Sequence, residues 1–475
     1  MAVNKVEVNG ETKLDLTQDT VTPENLLSGA TAHNAAGNQI VGKYQSVTLT
    51  GLEITAPPEK TDYKPGDVFD PTGMVVTATF SNGEQFQPVN YQVAPAGPLT
   101  IKTSRISISY TWGTVTKTAY QTVSVAPVVS EAIYGVFWDW ASNNGVTKGT
   151  RTDSAAAFAD PEPAVNNGVG SSPFDGLMPW GGMVVENDPT AGKLVKIPKF
   201  WYKWTQNGKS ISLQIADTAV DGFHVSPAHA DRGDGKGERD YVYIGRYHCN
   251  SSYKSVGGST PGNNMTRAQA RTNIHNLGAA YWQSDIQLRI TIWMLYLVEF
   301  ADWNSQETIG YGCSPSGTLF NMGATDGMQY HTGTTAASRT TYGCTQYRYI
   351  ESLWDNVHDW MDGCYYNDNG LNIVTNPANF SDSGNGVAVG VPSGGWPSAF
   401  AVSTKSGLEW VIYPTASSGS NSTYSTDYWS FYSPYSCLIA GGNYRQIQNV
   451  GLFFVSCYGV SDAVTEIGCR LQKLP

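Results

Sequence analysis

The sequence predicts an α+β protein of several domains, in which short strands and long loops outweigh a few helices. Three observations carry that expectation. The chain has 475 residues, and at roughly 100–200 residues per domain that length suggests two to four domains. Composition shifts near residue 128, since Trp112 is the only tryptophan before it and all seven cysteines follow it. The first quarter alternates in the manner of strands, whereas the remainder is rich in Gly, Trp and Tyr and holds two capped helix signals.

Residues 1–44 open with a strand candidate, Val6-Glu-Val8, followed by a helix signal in which Thr22 caps, Pro23 takes the first helical position and Gly29 follows the end. A segment this short cannot bury a core alone. Residues 45–127 carry alternating runs at Val47–Thr50, Gly73–Phe80, Ile106–Tyr110 and Tyr120–Val125, punctuated by Asn82-Gly83 and by Pro65-Gly66. Short strands without a long helix predict a β-sandwich. The run Pro127-Val-Val-Ser130 reads as a linker. In residues 131–475, Thr266-Arg-Ala-Gln269 is a capping box opening a helix over Arg267–Leu277, closed by Gly278. Ser284-Asp-Ile-Gln287 repeats the box, and Ile286, Ile290, Trp293 and Leu297 then fall on one helical face. No linker divides this region, which predicts one large loop-rich domain.

Charge and motifs narrow the function classes. The net charge is −11, with 29 basic and 40 acidic residues and no basic cluster, so nucleic acid is not an expected partner. Charged residues make up 15% of the chain, against about 25% in an average globular protein. The N-terminus lacks the apolar core of a signal peptide, and no stretch reaches about 18 apolar residues, so the expectation is a chain made in a cytoplasm and not inserted in a membrane. The cysteines are odd in number, form no CxxC pair, and read as reduced, part-buried residues. HExxH, GxSxG and GxxxxGK[ST] do not occur, which argues against three common enzyme chemistries. His224 and His229 flank a proline and could share a metal, and the acidic loop Asp231–Asp240 and Asn367-Asp-Asn-Gly370 could offer oxygen ligands to Ca²⁺. Neither loop has a recognised calcium spacing, and solvated turns are the expected reading of both. The sequence therefore predicts no cofactor, no metal and no catalytic residue.

The sharpest signal is near the C-terminus. Between Trp410 and Ser461 only Asp427 and Arg445 are charged, while ten aromatic residues from Tyr424 to Tyr458 sit among Ser, Asn and Gly. Binding surfaces use that mixture, because Tyr and Trp supply rigid contact area and the small polar residues supply adaptable hydrogen bonds. The competing expectation is a set of buried core strands, which would favour Val, Ile and Leu over hydroxyl-bearing residues.

Family resemblances extend these readings. The phrase Leu26-Leu-Ser-Gly-Ala-Thr-Ala-His-Asn-Ala-Ala-Gly-Asn-Gln-Ile-Val-Gly42 resembles short N-terminal modules of phage tail-fibre proteins, and an ordinary flexible arm is the alternative. Leu52-Glu-Ile54, Tyr63-Lys-Pro-Gly-Asp67 and Gly73–Gly83 resemble a bacterial Ig-like domain, usually a spacer. Gly441-Gly-Asn-Tyr-Arg-Gln-Ile-Gln-Asn-Val-Gly-Leu-Phe453 and the closing Ile467-Gly-Cys-Arg-Leu471 resemble C-type-lectin-like variable proteins of diversity-generating retroelements. Leu277–Gln283, Leu297–Gln306, Ile309–Gly312 and Tyr349–Asn356 resemble the same group, which includes phage tail proteins and shares its fold with the formylglycine-generating enzymes.

That resemblance implies a phage tail adhesin that binds a host-cell surface receptor, protein or glycan, through a surface diversified by adenine-directed mutagenesis. The displayed, ligand-binding positions it implies are Tyr428, Ser430, Tyr432, Asn443, Tyr444, Arg445, Ile447, Asn449, Phe454, Ser456 and Tyr458, with Trp429, Gln446 and Gln448 as fixed frame. It also implies contact with other phage tail proteins, a homo-oligomer (a trimer), and a place on the virion tail after assembly in the bacterial cytoplasm. The alternatives are a structural tail protein without receptor contact and a glycan-binding module. A formylglycine-type oxidase is disfavoured, because the segment from Asn443 to Ser456 lacks the cysteine pair that binds copper in those enzymes.

Overall fold

A computed structural model describes residues 2–64, 67–100, 103–125, 132–142, 145–313, 317–431, 436–446 and 450–475. The chain divides into two compact units, Met1–Ala126 and Pro127–Pro475. The expected Pro65-Gly66 turn and the 127–130 linker lie outside the described residues.

In the first unit, alternation drives pairing. The hairpin Lys5–Val8 with Glu11–Asp15 realises the strand read at Val6. The helix expected after Thr22 is instead one turn, with Leu26 N donating to Thr22 O at 3.1 Å. Leu27, with 57% of its surface exposed, finds no apolar face to cover, and a lone turn does not repay the cost of helix nucleation. Further on, Leu49–Ala56, Val75–Phe80 and Gln85–Phe86 form one sheet, and Val115–Thr122, Arg105–Trp112 and Gln92–Ala94 form another. Asn82-Gly83 makes the expected turn, Gly83 taking φ +85° and Asn82 Oδ1 accepting from Glu84 N at 3.1 Å. Between the sheets lie Tyr63, Phe69, Val76, Leu99, Ile106 and Ile108, and nearer one end Leu49, Ala78, Phe80 and Tyr110.

The second unit contains helices α1 (Arg267–His275), α2 (Ile286–Phe300) and α3 (Ser305–Thr308). At α1 the capping box forms, with Gln269 N donating to Thr266 Oγ1 at 3.2 Å and Thr266 N to Gln269 Oε1 at 2.9 Å. The helix ends at His275, two residues short of the expected Leu277. The cap of α2 is Asp285 rather than Ser284, its carboxylate accepting from Leu288 N at 2.9 Å. Every residue of α2 is buried, on all faces and not only on the one read from the periodicity, as befits a helix enclosed by a large domain.

Around α2 lie two five-stranded sheets. One runs Thr150–Asp153, Ile133–Trp138, Ser210–Ala216, Trp201–Asn207, His224–Val225; the other runs Val184–Asp188, Gly192–Pro198, Tyr241–Gly245, Leu471–Lys473, Tyr281–Gln283. The C-terminal strand is thus inserted between two strands that precede it by some 190 residues or more. A four-stranded sheet, Val455–Tyr458, Cys437–Ala440, His358–Trp360 and Ile467–Gly468, carries the last part of the chain.

These elements correct the predicted fold class. The protein is mostly β, not α+β, with 36% strand and 8% helix. Both predicted helices exist, α2 buried on every face and α1 burying Arg267, Ala270 and Ile274, and the remaining backbone satisfies its hydrogen bonds in short ladders and loops.

Candidate functional site

The segment from Tyr424 to Tyr458 is built onto the core through its backbone. At its centre Gly441 and Gly442 pass against the Leu353–Trp354 backbone. Gly441 has φ +72° and a Cβ there would strike Leu353 O, while a Cβ on Gly442 would lie 2.5 Å from Trp354 O. Only glycine fits both places. His358 fixes this turn, with Nδ1 to Gly441 O and Nε2 2.9 Å from Asn443 Nδ2. The amide can only donate, so Nε2 accepts and the Nδ1 hydrogen goes to the carbonyl. Burial holds the neutral imidazole by lowering its pKa to about 4.

A second fastening holds the turn Gly451–Phe453. Arg289, buried in α2, donates to Leu452 O at 3.0 Å and Leu353 O at 2.8 Å, and Trp293 Nε1 donates to Leu452 O at 2.9 Å. Ser305 Oγ accepts from Leu452 N at 2.9 Å, and Asp427 Oδ2 accepts from Phe453 N at 2.7 Å. Asp427 is fully enclosed, its Oδ1 has no hydrogen-bond partner, and burial pushes its pKa up to about 7.

The phrases that carried the family resemblance are fasteners too. Arg470, in the closing phrase, is wholly buried and spends its guanidinium on Asp359 at 3.2 Å and on the carbonyls of Gly245, Arg246, Glu351 and Ser352 at 2.8–3.1 Å. Asp359 also takes His248 Nδ1 at 2.9 Å, and these two partners hold its carboxyl below the usual range despite burial. In the Tyr349–Asn356 phrase, Glu351 accepts from Gly323 N at 2.7 Å and Thr325 N at 2.8 Å, and Asn356 bonds both N and O of Phe320 at 3.1 Å. Glu299, from the Leu297–Gln306 phrase, takes Arg348 through both carboxylate oxygens at 2.6 and 2.8 Å.

The residues expected on display fare differently. Arg445 is exposed and pairs with Glu466. Tyr428 and Tyr458 are half-buried, set edge-on against Trp396 and Trp360 at 4.8 and 6.3 Å. Ser430, Asn443, Tyr444, Phe454 and Ser456 are buried, which corrects their expected display in this unit. Ser430 and Ser456 belong to the backbone ladder around Val455–Tyr458, where Ser430 N reaches Val455 O at 2.9 Å, and Phe454 stacks on His358 at 5.3 Å. Tyr432, Ile447 and Asn449 lie outside the described residues, as does Gln448. Trp429, expected as frame, is buried, and Gln446 is half-buried. Much of the aromatic surplus is therefore core. Trp303 stacks on Phe400 at 5.0 Å, beside Trp140, Phe453 and Trp293.

What the sequence reading missed is a polar cleft of about 190 Å³ beside this segment, lined by Asn304, Gln306, Glu307, Tyr311, Asn421 and Ser422. Asn304 caps α3 by accepting from Glu307 N at 3.1 Å. Asn421 and Ser422 belong to the Ser420–Thr423 turn, just before Tyr424. The amide, hydroxyl, phenol and carboxylate groups that line the cleft can bind a neutral polar ligand through both donors and acceptors. Asparagine and serine in loops carry no periodic signal, so only their convergence in space identifies them. A second cleft, of about 350 Å³, lies between α1 and the Pro377–Phe380 segment, where His275 stacks on Trp282 at 4.0 Å.

The metal candidates resolve into turns. His229 is buried between Ser226 Oγ (2.6 Å) and Ile197 O (3.0 Å), and burial lowers its pKa to about 3; His224 is exposed and packs on Tyr202. Asp231 accepts from Gly233 N at 2.9 Å, Asp234 pairs with Arg239, and Asn367 accepts from Asn369 N at 2.9 Å. Among the described residues no group of three or more His, Cys, Asp or Glu is placed to hold a metal ion, and no helix is long and apolar enough to cross a membrane.

Comparison with known proteins reaches the first unit. Residues 56–123 match the family of bacterial Ig-like domains (group 3), so this stretch is a bacterial Ig-like domain. No curated protein matches the chain.

Proposed function

We infer that the protein is a phage tail attachment protein that binds a host-cell surface receptor. In this reading the N-terminal segment docks on the virion, the Ig-like domain is a spacer, and the second unit makes the contact. The observation that carries it is the polar cleft at Asn304–Tyr311 and Asn421–Ser422, adjoining an aromatic segment anchored by buried hydrogen bonds. Rigid anchoring favours recognition, because little ordering entropy is lost on contact. The contact surface is accordingly Tyr428, Arg445 and Tyr458 with Asn421 and Ser422, rather than the buried Asn443, Tyr444, Phe454 and Ser456. The resemblance to tail adhesins supports a homo-oligomer, a trimer, whose several copies would raise a weak affinity by about 10²–10⁴-fold.

The cleft's amide and hydroxyl lining favours a glycan as the receptor group over an apolar peptide. Adsorption to host cells in competition with purified protein tests the reading. Wild-type protein is expected to block adsorption, and Asn421→Ala with Ser422→Ala to block it at least tenfold less well with unchanged thermal stability. Equal blocking by both proteins refutes the assigned surface, and no blocking by either refutes attachment. Diversification, as the resemblance implies it, is tested in the neighbouring DNA. A near-copy of the stretch encoding 424–470, differing at adenines and lying beside a reverse transcriptase gene, is the expected finding, and its absence removes that part alone.

A further inference from the structure

All seven cysteines are buried, and four of them lie in two pairs on adjoining backbone segments. Cys249 N donates to Cys469 O at 2.8 Å, which brings the two backbones within the span of a disulfide. The Cys469 thiol lies 3.6 Å from Met265 Sδ and interacts with the Cys249 side chain. In the other pair, Gly343 N donates to Gly312 O at 3.2 Å, and Cys313 and Cys344, whose side chains interact, stand one residue further along each segment. Asp355 Oδ2 pins these two segments together by accepting from Cys313 N at 3.3 Å, Thr345 N at 3.2 Å and Thr345 Oγ1 at 3.0 Å.

We propose that Cys249 with Cys469, and Cys313 with Cys344, are modification sites that close as two intrachain disulfides when the folded protein meets a small-molecule disulfide such as oxidised glutathione. This is independent of the receptor reading. One cysteine of a pair, as thiolate, attacks the small disulfide, forming a mixed disulfide and releasing one small thiolate. The second cysteine loses its proton and attacks the mixed disulfide, forming the protein S–S bond and releasing the second small thiolate. Per bond, two protein thiols are oxidised and one small disulfide is reduced to two thiols.

The chain positions give the bonds a consequence. Cys469 stands between Gly468, in the four-stranded sheet, and Arg470, whose guanidinium binds four carbonyls. Its bond to Cys249 therefore rivets the C-terminal strand into place. The Cys313–Cys344 bond ties Cys313 to the chain entering the strand Thr345–Tyr347. Burial raises the Cys313 thiol well above its ordinary pKa, as do its bond to Cys249 and then burial for Cys469, so reaction at neutral pH proceeds through local opening.

The test uses the full chain, held with excess oxidised glutathione at about pH 8, with and without urea at a concentration below its unfolding transition. Thiols are then trapped in acid, counted after denaturation, and the links identified by mass spectrometry of the digest. The expected result is a fall from seven thiols to three, the two named linked peptides, and a Tm several degrees higher that dithiothreitol reverses. Cys249→Ala and Cys313→Ala are each expected to lose one link and keep the other. Seven thiols in both arms, glutathione adducts without links, or links that join other cysteines overturn the proposal.

Discussion

Replacing Asp427 by asparagine isolates the cost of one buried charge. The carboxyl is enclosed beneath the Gly451–Phe453 turn and its pKa is raised from 3.8 to about 7 by burial. A carboxyl raised in the folded state binds its proton more tightly there than in the unfolded chain. Its contribution to stability is therefore complete below about pH 4 and is lost as the pH rises through about 7. Each pH unit in that window costs about 1.4 kcal/mol, or about 4 kcal/mol in all. An asparagine side chain in its place keeps an acceptor for Phe453 N and cannot ionise. Asp427→Asn is thus expected to be near-neutral at pH 4.5 and to gain on wild type steadily up to about pH 8, by as much as about 4 kcal/mol. Urea unfolding followed by tryptophan fluorescence reads the second unit selectively, because Trp112 alone belongs to the first. Carboxylates with lowered pKa values, such as Asp175 and Asp188, near about 2, give opposite slopes, but they are common to both proteins and cancel in the difference. Parallel stability profiles across this range, or a variant that loses ground as the pH rises, would refute the reasoning.

Other expectations follow from the same geometry. Gly441→Ala forces φ +72° on a residue with a Cβ and drives that atom into Leu353 O, so a loss of about 2 kcal/mol or more is expected in chemical denaturation of the second unit. Arg470→Met leaves Asp359 buried with only His248 and strips donors from four carbonyls; a loss of about 3–5 kcal/mol is expected, with a change under about 0.5 kcal/mol contradicting the role given to it. His229 is held neutral by burial, with a pKa of about 3. A histidine lowered in this way contributes stability that is present above pH 6.5 and is lost as the pH falls toward 3. His229→Gln is therefore expected to flatten the acid limb of the stability profile between pH 6 and 4, and an unchanged limb would remove His229 as its source.

How much of this was legible follows from the range of each interaction. The capping box at Thr266 and Gln269, the Asn82-Gly83 turn and the alternation of the Ig-like strands depend on neighbours a few residues away, so their chemistry is written locally. The N-terminal helix signal is equally local and does not extend beyond one turn, since Leu27 stays 57% exposed and gains little from burial. The apolar periodicity of α2 was read correctly as helix but only as a one-sided face, because periodicity cannot report that a second layer covers the other side. Asp427 is a lone acid in a nearly uncharged stretch, and such a charge is either exposed or enclosed by distant chain; here it is enclosed and bonds Phe453 N, 26 residues away.

The aromatic segment marks the division most sharply. By itself the sequence determined that residues 424–458 would be Tyr-rich, nearly uncharged and threaded with glycine, that the protein would hold a bacterial Ig-like domain, and that the second unit would carry two capped helices. Tertiary structure alone decided which aromatics face inward, since burial depends on α2, on the Leu353–Trp354 backbone and on Trp303 and Phe400, all distant in sequence. It also decided that Gly441-Gly442 serves close backbone approach, and that Asn304 and Asn421 meet across one cleft. The physical reason is the same throughout: turn and cap energies are set by adjacent residues, whereas desolvation and packing are set by whatever the rest of the chain brings alongside.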